Sequence, residues 1–213
     1  STSDAMHLDT DIQENSQPRA AGRARWPAVF VFTALVASVA QAAPTGGEVT
    51  AGSGVISASG TTLTVDQASA RLAINWQSFN IGAGESVVFQ QPSAQAIALN
   101  RILGQDPSVI LGNLTANGQV FLLNPNGVLF GAGSQVAVGG LLASTLNLSN
   151  EDFLAGRYRL YADANVGAGE VLNEGTLSAQ DGGYVALAGT HVTNAGVIRA
   201  RLGTVALGAG DQL

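Results

Sequence analysis

Apolar and polar residues alternate along much of this chain, in short runs separated by glycine. Alternation with a period of two is typical of a β-strand that buries one face, and it argues against an amphipathic helix. One pattern, Gly-x-(Ile/Leu)-x-Ala, recurs and is followed by another alternating run. Its four copies occupy residues 54–58, 112–116, 175–179 and 196–200.

The last two copies match each other position by position. Asn173 lies 21 residues before Asn194, and Val185 lies 20 residues before Val205. A fixed period of about 20 residues is typical of a solenoid in which each repeat supplies one coil. The pattern favours a parallel β-helix over a hairpin meander for residues 110–213. In its last coil we expect Ile198, Ala200, Val205 and Leu207 to point inward, and Arg199 and Ala206 to point outward.

Two stretches interrupt the repeat. In residues 71–89 the apolar positions shift phase between Trp76 and Phe79, and a Gly-Ala-Gly corner follows. These aromatic-bearing strands form either a wide coil or a cap, because the bare end of a solenoid is an aggregating edge. Residues 147–163 lose the spacing again. Their charges predict a polar excursion out of the stack, with a solvated face.

The composition limits the classes of function that this chain can have. The 213 residues include 27 glycines, no cysteine and no lysine, and the formal net charge is −6. Many glycines and few charges suit short strands joined by tight corners. A negative chain without a basic stripe is poorly suited to phosphate backbones, so we expect no nucleic-acid partner. The absence of cysteine excludes disulfides and thiol chemistry.

Residues 1–42 have the features of an extended leader that ends in a secretory signal peptide. Three arginines precede an apolar run over residues 26–40, which is too short for an ordinary membrane span. Ala40 and Ala42 supply the small residues of a cleavage site, so we expect export by the Sec machinery and cleavage after Ala42. A buried helix or a short anchor is the alternative interpretation. Residues 43–213 then form the exported domain.

The segment Asn124-Pro125-Asn126-Gly127 separates two apolar strands. Pro125 suits the second position of a turn, and Asn126 and Gly127 tolerate the backbone angles that close it. The direct role expected of this segment is therefore a structural turn at a corner of the solenoid.

Four motifs follow one another along the exported domain. They are Ile-Asn-Trp-Gln-Ser-Phe-Asn-Ile at 74–81, Asn-Arg-Ile at 100–102, Gly-Gln-Val-Phe-Leu-Leu-Asn-Pro-Asn-Gly at 118–127 and Leu-Leu-Ala-Ser-Thr at 141–145. With these motifs, residues 43–213 resemble the N-terminal secretion domain of two-partner secretion exoproteins, the filamentous-haemagglutinin and high-molecular-weight adhesin group. The Asn-Pro-Asn-Leu box of one branch is missing, so the chain looks closer to the adhesin branch.

The resemblance implies an all-β fold, a right-handed parallel β-helix with an N-terminal cap and extra-helical strands. It also implies a secreted or surface protein that a dedicated outer-membrane β-barrel transporter with periplasmic domains recognises and that folds at the cell surface. Family members are usually longer, so we expect a chain truncated at its C-terminus. Any contact with host-cell or matrix glycans is then expected from the missing downstream region.

The resemblance also assigns candidate site residues. The turn segment becomes a candidate for transporter recognition as well as a structural corner. The second set comprises candidates for the cap or for further secretion motifs. The two sets are Asn124, Pro125, Asn126 and Gly127, and then Trp76, Phe79, Asn100 and Arg101.

Two alternatives stay open on the sequence. The same module also begins secreted cytolysins and contact-dependent inhibition toxins, and a β-helical polysaccharide-acting enzyme belongs to another class altogether. We expect no enzyme, because such catalysis needs carboxylates or basic groups clustered on one stacked face. His191 is the single histidine of residues 43–213, so we expect neither a catalytic triad nor a metal or cofactor. Asn113 and Asn147 each begin a glycosylation sequon, and the triplets do not indicate whether they are used.

Overall fold

The structure, a computed structural model, describes residues 43–162 and 169–210. The leader, including the predicted cleavage site at Ala40 and Ala42, lies outside the described residues. In the described part, parallel strands stack on three faces of a solenoid. The parallel β-helix predicted from the repeat is therefore confirmed.

Each coil passes through the three faces in the same order. Face 1 comprises β3 (Thr62–Gln67), β5 (Ser86–Gln90), β8 (Asn113–Ala116), the first part of β11 (Gln135–Ser144), the first part of β13 (Thr176–Gly189) and β15 (Val197–Ala200). Face 2 comprises β4 (Arg71–Trp76), β6 (Ile97–Ile102), β9 (Gln119–Leu123), the second parts of β11 and β13, and β16 (Thr204–Ala209). Face 3 comprises β7 (Ser108–Ile110), β10 (Val128–Phe130), β12 (Glu170–Asn173) and β14 (His191–Asn194).

The core is made of inward side chains that stack in register from coil to coil. On face 2, for example, Leu72 lies over Ala98, and Val120 lies over Leu141. Because each strand alternates, every second residue joins this central cluster and the residues between point away from it. The cluster runs unbroken from Leu63 at the first coil to Leu187 at the fifth.

The register of the last two coils agrees with the sequence prediction. Val205 and Leu207 pair with Val185 and Leu187, which are inward and buried. Val205 and Leu207 are nevertheless 49% and 53% exposed, because no coil of the described residues stacks on them. Their inward direction is thus confirmed by register, although they are not buried.

The N-terminal cap differs from the expectation. The repeat pattern predicts a coil strand at residues 54–58, but they belong to β2 (Gly54–Ser59), which pairs antiparallel with β3. Gly60, with φ of 58°, makes the hairpin between them, and a strand that turns back on its neighbour cannot join a parallel stack. Strand β1 (Glu48–Ala51) pairs antiparallel with β4 in the same way. Of the two alternatives for the aromatic strands, the coil is right and the cap is wrong, since Trp76 and Phe89 belong to parallel coil strands.

Between β11 and β12 the chain leaves the stack, as the broken spacing predicted. This excursion, residues 145–162, contains the one short helix α1 (Asn150–Leu154) of the described residues. Its two legs meet in an antiparallel bridge between Asn147 and Tyr161. The charged side chains are solvated as expected, with Glu151 90% exposed. The excursion is not simply polar, however, because Phe153 is completely buried.

Candidate functional site: the corner between faces 2 and 3

The sequence motifs converge on one edge of the solenoid. Each of the first three coils turns from face 2 to face 3 at this edge, and the three turns lie on top of one another. We call this stack the corner column, and it comprises residues 77–80, 103–107 and 124–127.

Close backbone contacts join the levels of the corner column. The Leu103 N–H donates to the Trp76 carbonyl at 2.8 Å, and the Asn126 Nδ2 donates to the Gly104 carbonyl at 2.9 Å. A Cβ on Gly104 would lie 2.1 Å from the carbonyl oxygen of Gln77, so position 104 tolerates no side chain. Motifs separated by tens of residues in sequence therefore form one continuous structure.

Asn124 organises the third level. Its side chain is fully buried, and Nδ2 donates at 3.0 Å to both the Asp106 carbonyl and the Ser108 Oγ of the coil below. Its Oδ1 accepts from the Asn126 N–H at 3.0 Å, and its carbonyl accepts from the Gly127 N–H at 3.0 Å. One amide thus closes its own turn and ties it to the preceding coil, which is the structural role predicted for the segment.

The other side of the turn is packed as well. Gly127 has φ of 123°, a region that favours glycine. A Cβ on Gly169, from the following coil, would lie 2.5 Å from the Asn126 carbonyl carbon. Asn124 and Gly127 are buried, whereas Pro125 and Asn126 are half-buried. Only the tip of the turn is therefore open to a partner of the folded domain.

Trp76, Phe79 and Asn100 lie in the core rather than on a surface. Asn100 occupies an inward position between Ile74 and Leu122, where its Oδ1 accepts from the Trp76 Nε1 at 3.0 Å. Its Nδ2 donates to backbone carbonyls, so the buried amide is satisfied on both sides. The rings of Trp76 and Phe79 meet edge to face at 5.5 Å. These residues fasten the first two coils together at the corner column and on the strands that lead into it.

Arg101 points outward and reaches the excursion. Its Nε donates to the Asn147 Oδ1 at 3.0 Å, and its Nη1 donates to the Asn75 and Asn150 Oδ1 atoms at 3.1 Å each. Its Nη2 donates to the Leu148 carbonyl. All four acceptors are neutral, and burial lowers the pKa of the Arg101 guanidinium, partly opposed by Tyr161.

A second buried amide cluster, which the sequence did not reveal, lies at the corner between faces 1 and 2. The Gln91 Nε2 donates to the Gln67 Oε1 at 3.0 Å and to the Ala96 carbonyl at 3.1 Å, while its Oε1 accepts from the Gly118 N–H at 2.9 Å. Glutamine is mostly an exposed residue, and no local pattern distinguishes a buried one. The cluster was visible only once the coils were stacked.

The remaining predicted groups are scattered. His191 is exposed on β14, and no group of three or more His, Cys, Asp or Glu side chains in the described ranges is arranged to hold a metal. Asn113 of the first sequon is exposed on β8, whereas the Oδ1 of Asn147 is occupied by Arg101. No helix among residues 43–162 and 169–210 is long and apolar enough to cross a bilayer.

The protein is thus a capped β-solenoid, and the residues of its sequence motifs hold neighbouring coils together. Comparison with known proteins identifies the class. The family model for the TPS secretion domain matches residues 40–213. The chain is also similar to the crystal structure of the HMW1 secretion domain from Haemophilus influenzae, with a TM-score of 0.76 and 33% identity, over 79% of this chain and 45% of that one.

The curated relatives are longer proteins. A heme/hemopexin-binding protein of Haemophilus influenzae strain Rd is 37% identical over 175 residues, which cover 79% of this chain and 19% of the relative. A second Haemophilus influenzae protein of that name is 48% identical over 86 residues, covering 40% of this chain and 9% of the relative. The chain thus spans about a fifth of the first relative.

The chain belongs to the TPS secretion domain family. It is the secretion domain of a two-partner secreted exoprotein, a structural module whose general partner is a cognate outer-membrane transporter. Proteins of this kind are exported to the cell surface or the medium.

Proposed function

We propose that this domain docks on its cognate outer-membrane β-barrel transporter, through the periplasmic domains of that partner, and then nucleates β-helix folding at the cell surface. The observation that carries the proposal is the antiparallel cap at the N-terminal end of the stack. There β1 and β2 close faces 2 and 1, so later coils can add only on the opposite side of the first coil.

The cap gives the fold a direction. A capped first coil is complete once residues 48–81 are available, and each later coil adds to an edge that already exists. If the chain emerges at the cell surface with its N-terminus first, the cap and first coil become available before the later coils that add to them. Parallel pairing between distant strands is slow to nucleate, so a ready template favours orderly folding outside the membrane. Each added coil also opposes backward movement through the transporter.

The corner column is proposed to serve mainly this folding step. Asn124 and Gly127 are buried on both sides, so a partner of the folded domain reaches only the tip at Pro125 and Asn126. Recognition by the transporter is accordingly assigned to this tip or to the unfolded segment, in addition to its role as a turn.

The test separates folding from recognition with matched variants. Asn124→Ile, Pro125→Ala and Asn126→Ala are each co-expressed with the cognate transporter, and extracellular protein is quantified. The same variants are purified and their folding is followed by circular dichroism. We expect Asn124→Ile to lose both secretion and stable folding. Lost secretion in Pro125→Ala or Asn126→Ala, with normal folding, supports recognition at the tip. Undiminished secretion without the transporter contradicts the docking proposal.

Export to the periplasm is proposed to follow the Sec route, with cleavage after Ala42. N-terminal sequencing of the secreted protein is expected to begin at Ala43. A secreted product that retains the apolar run over residues 26–40 contradicts this assignment.

The whole exoprotein is proposed to be an adhesin of the haemagglutinin type, with glycan contacts in parts outside this domain. The names of the two curated relatives favour a second candidate, an exoprotein that captures heme or hemopexin. The matches cover only 19% and 9% of the two relatives, so the activity is assigned to other parts of the protein. Binding of the full exoprotein to hemopexin-coated surfaces and to epithelial cells distinguishes the two candidates.

A further inference from the structure

The outer side of face 2 carries a stack of apolar residues. These residues pair in register from coil to coil and are almost fully buried, with Leu99 at 0% and Phe121 at 3% exposure. On the outer side of face 1, Thr115 and Ala137 are exposed. We call the apolar stack the outer column, and it comprises Ala73, Leu99, Phe121 and Leu142.

The excursion covers the outer column. Leu146, Leu148 and Phe153 are at most 1% exposed and join the outer column in a second hydrophobic cluster, separate from the core inside the solenoid. Phe121 meets Tyr158 edge to face at 5.3 Å and Phe153 at 6.3 Å. One non-coil segment therefore protects apolar surface that belongs to four different coils.

Arg101 joins the cover to the coils. Its guanidinium leaves the same strand as Leu99 and bonds to Asn147, Leu148 and Asn150 of the excursion, and also to Asn75 of the first coil. Among the partners of Arg101 described above, every oxygen is an amide oxygen. A planar fork with five N–H groups suits several such acceptors at once, whereas an ammonium does not.

The contacts span a long stretch of chain. Arg101 lies 46 residues before Asn147 and 49 before Asn150. Stacking the first four coils therefore leaves the outer column in water until the excursion docks. The Asn150 Nδ2 also reaches the Thr50 Oγ1 of the cap at 3.4 Å, so docking engages the first strand of the fold as well.

We propose that the excursion is a latch held by Arg101. The first four coils reach their full protection against hydrogen exchange only when residues 145–162 dock on the outer column. Arg101 is a positioning residue here, since it acts through the segment it holds. The meaning for export rests on the proposed function: a chain emerging N-terminus first would lock its early coils only after Leu160 has emerged.

The test uses the full chain with Arg101→Met, which keeps the length of the side chain, and Arg101→Lys, which keeps its charge. Hydrogen–deuterium exchange is measured by peptide, together with binding of an apolar fluorescent dye. We expect exchange in residues 145–162 to rise about tenfold in Arg101→Met, with increased dye binding and unchanged exchange in β15 and β16. Arg101→Lys is expected to restore little, because one ammonium cannot bond to Asn75 and to all three excursion acceptors as the guanidinium does.

Asn150→Ala is the second variant and decides the matter if Arg101→Met does not fold. It removes one acceptor from the excursion alone, and we expect a smaller rise confined to residues 145–162. Arg199→Met on the exposed side of face 1 is the control and should behave like the unaltered chain. Unchanged exchange in residues 145–162, or an equal rise in every coil, overturns the latch. Neither result bears on transporter docking, which the secretion assay measures separately.

Discussion

Neighbouring coils build the corner between faces 2 and 3 in two different ways. In the third coil, four residues, Asn124–Gly127, make the turn and bond to the coil below. In the fourth coil the chain leaves at residue 145 and rejoins the stack at Gly169, which packs directly on the turn of the third coil. The same position in the solenoid is thus a tight turn in one coil and an excursion in the next.

The two connections between faces 2 and 3 are stabilised in different ways. The tight turn depends on local chemistry, because Asn124 bonds to residues close in sequence or directly beneath it. The excursion depends on residues distant in sequence, since its buried apolar side chains pack against the outside of face 2. The stability of the tight turn should therefore depend on the single side-chain amide of Asn124. The stability of the excursion should depend on the apolar area that it buries.

The largest effect is expected from Asn124→Ile in the tight turn. The change leaves the Asp106 carbonyl and the Asn126 N–H without their buried partner, and we expect the free energy of unfolding to fall by about 4 kcal/mol. Urea unfolding of the purified domain measures it. Asn126→Ala, at the half-buried tip, should cost only about 1 kcal/mol. Equal losses in the two variants would contradict the central role given to Asn124.

Phe153→Ala tests the excursion. The buried ring fills the second hydrophobic cluster, and its removal should lower the free energy of unfolding by about 3 kcal/mol. Thermal and urea unfolding, with dye binding, report the loss and the uncovered outer column. The control is the next residue, Leu154, which is 47% exposed, so Leu154→Ala should change stability by less than about 0.5 kcal/mol. A similar cost for both would argue against a buried apolar contact.

Ser149→Ala addresses the start of the helix in the excursion. The Ser149 Oγ accepts from the Asp152 N–H at 3.1 Å, and loss of this cap should cost about 1 kcal/mol. Exchange of the α1 amides should rise while the corner column stays protected. Ser149→Asp supplies another capping oxygen and should restore most of the loss. Failure of that rescue would mean that the cap contributes little.

The smallest effect concerns pH and the exposed face of the excursion. The hydrogen bond from Arg157 holds the pKa of Asp152 below its ordinary value of 3.8. Because the pKa of Asp152 is lower in the folded state, its bond to Arg157 stabilises the fold fully above pH 3.8. This stabilisation is lost as the pH falls through the pKa that Asp152 has in the folded protein. Exchange protection of residues 145–162, corrected for the intrinsic exchange rate at each pH, should therefore fall slightly on acidification from about pH 5 to about pH 3. Asp152→Asn should remove this step.

Much of the fold was predictable because its signals are local. The 21-residue spacing of Asn173 and Asn194 returns as a stacked pair joined by a hydrogen bond of 2.8 Å. The turn chemistry of Asn124–Gly127 likewise predicted the corner. The alternation of Gly54–Ser59 predicts a coil strand, and only its antiparallel pairing with β3 reveals that it belongs to the cap.

The candidate residues were predicted less completely. The motifs named Trp76, Asn100 and Arg101, but a sequence does not show which side chains meet. Trp76 bonds to Asn100 inside the core, whereas Arg101, the next residue, points outward to a segment 46 residues later. The buried amides of Gln67 and Gln91 had no sequence signal, because a polar residue at a corner is ordinarily solvated.

The sequence by itself determined that this is a parallel β-helix with a turn at Asn124–Gly127, because alternation, period and turn residues act over a few neighbouring positions. The tertiary structure alone decided that the motifs stack into one column, that the cap is antiparallel and that the excursion seals the outer side of face 2. Those outcomes depend on contacts between residues of different coils. Each such contact exists only after the coils between its partners have been stacked.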